Sequence, residues 1–240
     1  MFKSPYTGKI KIFSDGADRQ SMLEMAKNPL IKGITTNPSL MKKAGVKDYR
    51  VYCKEMLGLI TDKPISFEVL ADDLNEMKKQ ALEIASWADN VYVKIPILTT
   101  DGKYTSSLIK ELSHSKVKLN VTGITTFAEI LESCEALKGG APSIISVFAG
   151  RIADTGRDPL PLMHAAYEAC NSIDKNIELL WASTREAFNI VQAEQIGCHI
   201  ITAPPEVIKK LPGFNKDLHQ LSVEIVKIFA ADIKSAGLSL

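Results

Sequence analysis

One rhythm dominates the chain: a short run of β-branched and apolar residues, a turn, then a longer amphipathic stretch, repeated eight times. Short apolar runs of this kind read as strands buried on both faces, which belong to parallel sheets. Strands are expected at residues 9–13, 33–36, 65–70, 91–95, 117–122, 143–148, 177–182 and 199–203. Between them the period becomes helical: Leu74, Met77, Ala81, Ile84 and Ala85 share one face, while Glu76, Lys78, Lys79 and Glu83 take the other. Further helices are expected over 104–112, 127–137, 160–170, 186–195 and 205–210. A last long one over 217–236 carries Leu218, Leu221, Ile225, Ile228 and Phe229 on one stripe, with Gly237 as its C-cap. That stripe needs a surface to cover, in its own subunit or in a neighbouring one.

Eight βα units in 240 residues imply a single α/β domain over residues 1–240: a (β/α)8, or TIM, barrel with an additional C-terminal helix. A doubly wound open sheet is the alternative, but no GxGxxG follows the first strand. No linker, low-complexity segment or other repeat interrupts the count.

With 29 Lys and Arg against 28 Asp and Glu, the net charge is +1, so no bulk electrostatic pull toward nucleic acid or anionic membrane is expected. Lys42-Lys43, Lys78-Lys79 and Lys209-Lys210 are separate pairs on solvated faces. A small molecule is the expected partner. Cys53, Cys134, Cys170 and Cys198 form no CxxC, and with Cys198-His199 the only adjacent pair and His114, His164 and His219 scattered, no metal is implied. The cysteines read as free, mostly buried thiols. Residues 1–6 lack the apolar core of a leader and no stretch reaches the ~18 apolar residues needed to span a bilayer, so a cytoplasmic protein is expected.

In such a barrel the functional site lies at the C-terminal ends of the strands. Collecting polar residues there gives Asp15 on the first strand and Thr36-Asn37 on the second. Glu68 follows on the third, Lys94 on the fourth, Asn120 and Thr122 on the fifth, Ser146 and then Arg151 on the sixth, and Ser183 and Arg185 on the seventh. Residues two apart share a face, so Asn120 agrees with Thr122, Ser146 with Phe148, and Lys94 with Tyr92. Each has a plainer reading. Asp15 and Ser183 could be helix caps, Asn37-Pro38-Ser39 a turn and helix start, and Thr122 a β-former, with Tyr92 and Trp181 as packing residues.

Lys94, within Asn90-Val91-Tyr92-Val93-Lys94-Ile95-Pro96, stands out. Desolvating an ammonium costs more than its packing returns, so a buried lysine either loses its proton and becomes nucleophilic, snorkels to water, or pairs with a carboxylate. Among neutral neighbours a desolvated lysine is suited to attack a ketone and form a Schiff base, whose iminium serves as an electron sink for carbon–carbon cleavage. Asp15 and Glu68 could then divide the proton transfers. Arg151 and Arg185, late in the barrel, suit a phosphate.

The blocks Gly33-Ile34-Thr35-Thr36-Asn37-Pro38-Ser39, Ser66-Phe67-Glu68-Val69, Val91-Tyr92-Val93-Lys94-Ile95-Pro96, Asn120-Val121-Thr122, Ser146-Val147-Phe148-Ala149-Gly150-Arg151-Ile152 and Ala182-Ser183-Thr184-Arg185 resemble the transaldolase family of class I Schiff-base enzymes, across essentially the whole chain. The resemblance implies that Lys94 forms the Schiff base and that Asp15 is the acid/base at the hydroxyl beside the cleaved bond. It implies that Glu68 and Thr122 position a catalytic water, that Asn37, Asn120 and Ser146 hold the donor's hydroxyls, and that Arg151, Ser183 and Arg185 meet the phosphate.

The implied reaction moves a dihydroxyacetone unit from a ketose phosphate, such as fructose 6-phosphate or sedoheptulose 7-phosphate, to an aldose phosphate such as erythrose 4-phosphate. It belongs to the pentose phosphate pathway, needs no cofactor, and is expected of a homo-oligomer. The similar fructose-6-phosphate aldolases carry glutamine at the Glu68 position and tyrosine at the Phe148 position; both differences favour transfer over release, since a phenyl ring cannot donate a proton to the carbanion. Thr184 departs from the aromatic residue usual there. An aldolase releasing dihydroxyacetone, and a non-catalytic sugar-phosphate-binding barrel, are the alternatives.

Overall fold

The computed structural model describes residues 6–239; residues 1–5, on which the expected absence of a leader rests, and Leu240 lie outside them. Eight parallel strands close in sequence order: β1 (Lys11–Asp15), β2 (Ile31–Thr35), β3 (Ile65–Glu68), β4 (Val91–Pro96), β5 (Leu119–Ile124), β6 (Ser143–Val147), β7 (Ile177–Trp181) and β8 (Ile200–Ala203). β8 pairs back onto β1 through Lys11↔Ile200 to Ser14↔Ala203, which closes the barrel. The expected (β/α)8 architecture is therefore present.

The helices are α1 (Arg19–Ala26), α2 (Pro38–Lys43), α3 (Tyr49–Leu59), α4 (Leu74–Ala85), α5 (Ser106–His114), α6 (Phe127–Leu137), α7 (Ala149–Asp154), α8 (Leu160–Ile173), α9 (Phe188–Gln195), α10 (Pro205–Ile208) and α11 (Leu218–Ala236). Side-chain caps start many of them. Asp18, Asn37, Asp48, Asp73 and Asp217 each accept a backbone N–H of the first turn, and Thr126 forms a capping box with Glu129, each cap stabilising its helix by about 1 kcal/mol. Helices α1, α2, α3 and α7 are not among those expected from the sequence; α2 and α7, at six residues each, give too few turns for a periodic signal.

Strand edges shift as well. β1 is expected at 9–13 but runs Lys11–Asp15: the ladder to β8 begins at Lys11, which pairs with Ile200 and whose N–H donates to the His199 carbonyl at 3.1 Å. β3 stops at Glu68, after which Leu70 is 55% exposed.

The space between strands and helices is filled by residues such as Ile34, Phe67, Val93 and Val121, each fully buried. Inside the barrel Phe13, Ile144, Leu180, Ala182 and Ile200 form a plug, with Tyr92 and Phe148 packed against it. Gly33 makes room for this plug, since a Cβ there would stand 2.5–2.8 Å from the Phe13 ring. The interior is thus a packed floor, and the polar ends of the strands stand on it. Trp181 is buried as a packing residue, and all four cysteines are buried and free.

The contacts gather into two compact units: Gly8–Ile208, which holds the barrel, and a second containing Tyr6, Thr7 and residues from Lys209 onward. Within the second, α11 ends at Gly237 in the left-handed conformation, as expected of its C-cap, and Tyr6 meets Phe214 edge to face. No described residue of α11 is buried.

Candidate active site

Register assembles the centre of the site. Glu68 on β3 pairs with Lys94 on β4, and Lys94 with Asn120 on β5, so three polar side chains of like parity stand side by side inside the barrel. Lys94 is only 6% exposed. Its Nζ donates to the main-chain oxygen of Thr36 at 2.8 Å and lies 3.2 Å from Glu68 Oε2. Snorkelling is therefore excluded, and the expectation of neutral neighbours is corrected: β3 brings a carboxylate to the lysine because its register places Glu68 directly alongside. Glu68 is held in turn by Tyr49, whose hydroxyl donates to the Glu68 carbonyl at 2.7 Å.

Asp15 ends β1 opposite Thr35 of β2. It does not cap the following helix, since Asp18 does. Thr35 Oγ1 donates to Asp15 Oδ1 at 2.8 Å and meets Thr202 Oγ1 of β8 at 2.5 Å. Burial pushes the Asp15 carboxyl above the usual carboxylate range, against the opposing pull of Lys94 and the Thr35 hydrogen bond; the Glu206 carboxylate on α10 adds to the rise. A carboxyl so placed can carry a proton at a pH where an exposed aspartate cannot.

On β5, Asn120 is fully buried with both ends of its carboxamide engaged: Nδ2 donates to Ser66 Oγ at 3.0 Å and Oδ1 accepts from Ser146 Oγ at 2.7 Å. Thr122, two residues on, is 3% exposed and its hydroxyl has no partner among the described residues. A buried unpaired hydroxyl beside Glu68 and Lys94 is a natural seat for one water or one substrate oxygen.

These groups open into a cavity of about 610 Å³, large enough for a sugar phosphate. Asp15, Asn37, Glu68, Lys94 and Thr122 line it from the first five strands, and Ser146, Phe148, Arg151, Ser183 and Arg185 from the sixth and seventh. Of the polar residues collected at the strand ends, Thr36 and Asn120 do not line it; Thr36 holds Lys94 through its carbonyl and Asn120 is hydrogen-bonded to Ser146. Asn37 also caps α2, its Oδ1 accepting from Leu40 N at 2.9 Å, so the helix-start reading holds for that residue, which also lines the cavity.

Ser183 caps nothing. It sits at φ +60, a left-handed conformation that costs a non-glycine residue about 1 kcal/mol or more. Its carbonyl presses on Gly150 of α7, where a Cβ would stand 1.7 Å away. Arg185 is ion-paired with Asp154 of α7, and Arg151 on the same helix is exposed.

Sequence reasoning assigns no role to Thr35, Ser66 or Thr202 and marks Thr184 only as a departure from the family pattern; all four are buried hydroxyls. The alternation of inward residues could have found Thr202, a lone polar residue in Ile200-Ile201-Thr202-Ala203, and β8 is the one strand from which no candidate is drawn. Among the described residues no group of three or more His, Cys, Asp and Glu side chains is placed to hold a metal ion, and no helix is long and apolar enough to cross a membrane.

Comparison with known proteins extends these observations. In fold, the chain is similar to 3-hexulose-6-phosphate synthase, with a TM-score of 0.56 at 17% identity over 85% of this chain and 98% of that one. In sequence it is 36% identical over 231 residues to "Probable transaldolase" of Sphingopyxis alaskensis, covering 96% of this chain and all of the relative. It is 33% identical over 226 residues to the protein of the same name from Dehalococcoides mccartyi, covering 94% and 99%. The family model described as Transaldolase/Fructose-6-phosphate aldolase matches residues 12–239. That match and those relatives, over a closed eight-stranded barrel whose mouth is built around Lys94, show that the chain belongs to the transaldolase/fructose-6-phosphate aldolase family.

Proposed function

We propose that the protein is a transaldolase, moving a dihydroxyacetone unit from a ketose phosphate such as fructose 6-phosphate to an aldose phosphate through a Schiff base on Lys94. The observation that carries this reading is the buried Lys94 amine, 3.2 Å from the Glu68 carboxylate, at the foot of a cavity whose far rim carries two arginines.

The amine attacks as the free base, so its proton must first leave, and Glu68 is the acceptor within reach. Nζ adds to the ketone carbon, water departs with protons delivered from Glu68, and an iminium remains. The departing water is bound between Glu68 and the unpartnered Thr122 hydroxyl. Asp15 then takes the proton from the hydroxyl on the far carbon of the bond to be broken, which becomes the aldehyde carbon. That bond cleaves, its electron pair moves into the iminium to give an enamine, and the aldose phosphate leaves. Attack of the enamine on a second aldose phosphate, with Asp15 returning the proton to the new hydroxyl, reverses the sequence; hydrolysis then frees Lys94. Arg151, Ser183 and Arg185 hold the phosphate of both partners.

Glu68 and Phe148 favour this over the second reading, an aldolase that releases dihydroxyacetone. Release needs a proton at the enamine carbon, and the Phe148 ring, packed on the apolar plug, has none to give. The test is a coupled assay of fructose 6-phosphate with and without erythrose 4-phosphate. Transfer predicts glyceraldehyde 3-phosphate only when the acceptor is present. Equal product in its absence would establish the aldolase.

A further inference from the structure

We infer that Thr202 is a positioning residue for the site: its hydroxyl, acting through Thr35, fixes the carboxyl of Asp15, while its carbonyl anchors Thr184 in the loop that bears Ser183 and Arg185. This rests on the reading of Asp15 as the acid/base group.

A threonine hydroxyl has one proton to give. Thr35 spends its proton on Asp15 Oδ1 at 2.8 Å, so in the 2.5 Å contact between Thr35 and Thr202 the donor is Thr202. The chain of donors therefore runs one way, from β8 through β2 to β1, and ends on the carboxyl. β1 lies between β8 and β2 in the barrel, so Asp15 is held by its two neighbouring strands. Thr35 and Thr202 are 3% and 4% exposed, and a hydroxyl at that depth is costly unless it is used. The other residues of β8, Ile200, Ile201 and Ala203, are apolar and buried, so packing alone would accept a valine at position 202.

The second half of the junction is the main chain. The Thr202 carbonyl accepts from Thr184 Oγ1 at 2.7 Å. Thr184 is itself buried, and lies between Ser183, in its left-handed conformation, and Arg185. The hydroxyl of Thr184 thus supplies a tether on which the strained turn depends, which gives a purpose to a residue that departs from the aromatic usual in the family. One residue of β8 holds the acid/base group by its side chain and the phosphate loop by its backbone.

The experiment compares the wild type with Thr202→Val, which keeps the shape and removes the hydroxyl, and with Thr202→Ser, which restores it. Two readouts are followed: the pH profile of kcat with fructose 6-phosphate and erythrose 4-phosphate, and the titration of Asp15 by carboxyl ¹³C NMR. The charged groups acting on Asp15, Lys94 from β4 and Glu206 from α10, are unchanged in both variants.

Thr202→Val is expected to lower kcat on the order of ten-fold, with KM for the ketose phosphate nearly unchanged because the backbone tether to Thr184 survives. Loss of the donor chain disfavours the carboxylate, so the acid limb of the profile and the NMR titration of Asp15 both move to higher pH. Thr202→Ser returns both to the wild-type values. A Thr202→Val protein with wild-type kcat and an unmoved Asp15 titration overturns the inference, as does a serine variant that fails to restore them. The NMR arm needs no turnover, so an Asp15 titration that moves in a protein without transaldolase activity refutes the proposed function and upholds the coupling of Thr202 to Asp15.

Discussion

Lys94, Glu68 and Asp15 stand on strands β4, β3 and β1, their side chains held by the Thr36 carbonyl, the neighbouring carboxylate and a Thr202–Thr35 hydroxyl chain. Across the mouth, Arg151 and Arg185 stand beyond the strand ends, on α7 and the loop after β7, and both are exposed. One side holds its three ionisable groups in contacts within the barrel; the other is a rim whose guanidinium groups reach solvent and, for Arg185, a surface carboxylate. The difference follows from what each side must do. Proton and bond transfer demand groups fixed to within a fraction of an ångström, which strands and buried hydrogen bonds provide. In the proposed reaction a phosphate brings its own two charges, so a solvated rim is enough to bind it.

The largest effect belongs to the buried side. Lys94→Met should reduce ketose phosphate turnover on the order of 10⁴-fold or more, as expected when the nucleophile of a covalent mechanism is removed. Progress curves against fructose 6-phosphate measure it, and substantial residual turnover would erase the contrast between the two sides. On the rim, Arg185→Ala should raise KM for the ketose phosphate roughly 10–100-fold, the value of a charge-assisted hydrogen bond, while changing kcat little. A larger loss in kcat than in KM would mean the rim shares in the chemistry.

The seam where the rim meets the barrel can be probed at Gly150. Its replacement by alanine puts a Cβ against the Ser183 carbonyl, and should cost about 1–3 kcal/mol of stability with a rise in KM resembling that of the arginine variant. Denaturant unfolding beside steady-state kinetics reads both. Phe148→Tyr supplies the missing proton donor, and should increase acceptor-independent release of dihydroxyacetone by about ten-fold. An unchanged ratio of release to transfer would remove Phe148 from the account.

The smallest effect is on stability. Burial holds the Asp15 carboxyl above its usual range, so the folded protein binds that proton more tightly than the unfolded chain does. The contribution is complete below the unfolded carboxylate value and is lost as pH rises through the higher folded value. Asp15→Asn should therefore raise the melting temperature at pH 7 by roughly 2–4 °C and leave it nearly unchanged at pH 3. Equal shifts at both pH values would show that burial does not strain this carboxyl.

The buried side was also the side most legible in the sequence. A strand's alternation is a rigid rule, so Lys94 could be placed on one face with Tyr92 and Thr122 with Asn120 from spacing, and the barrel read from the count of strands. What spacing could not give was partnership across strands. Neither the Glu68–Lys94 pair nor the Thr202–Thr35–Asp15 chain is visible until register is known, nor is the engagement of both ends of the Asn120 carboxamide by Ser66 and Ser146. The rim was legible only as charge, because α7 is too short for periodicity and the left-handed turn at Ser183 has no glycine to announce it. On α11 the stripe and its C-cap were both readable, but a stripe names no partner.

The proposed mechanism requires Lys94 to be the group that bonds to substrate. Borohydride reduction of the wild-type protein with fructose 6-phosphate, followed by mass spectrometry of its peptides, tests this directly. A reduced dihydroxyacetone or hexose phosphate adduct on Lys94, absent without the sugar, is predicted. A protein that turns over fructose 6-phosphate yet yields no adduct, or one on another lysine, would contradict it.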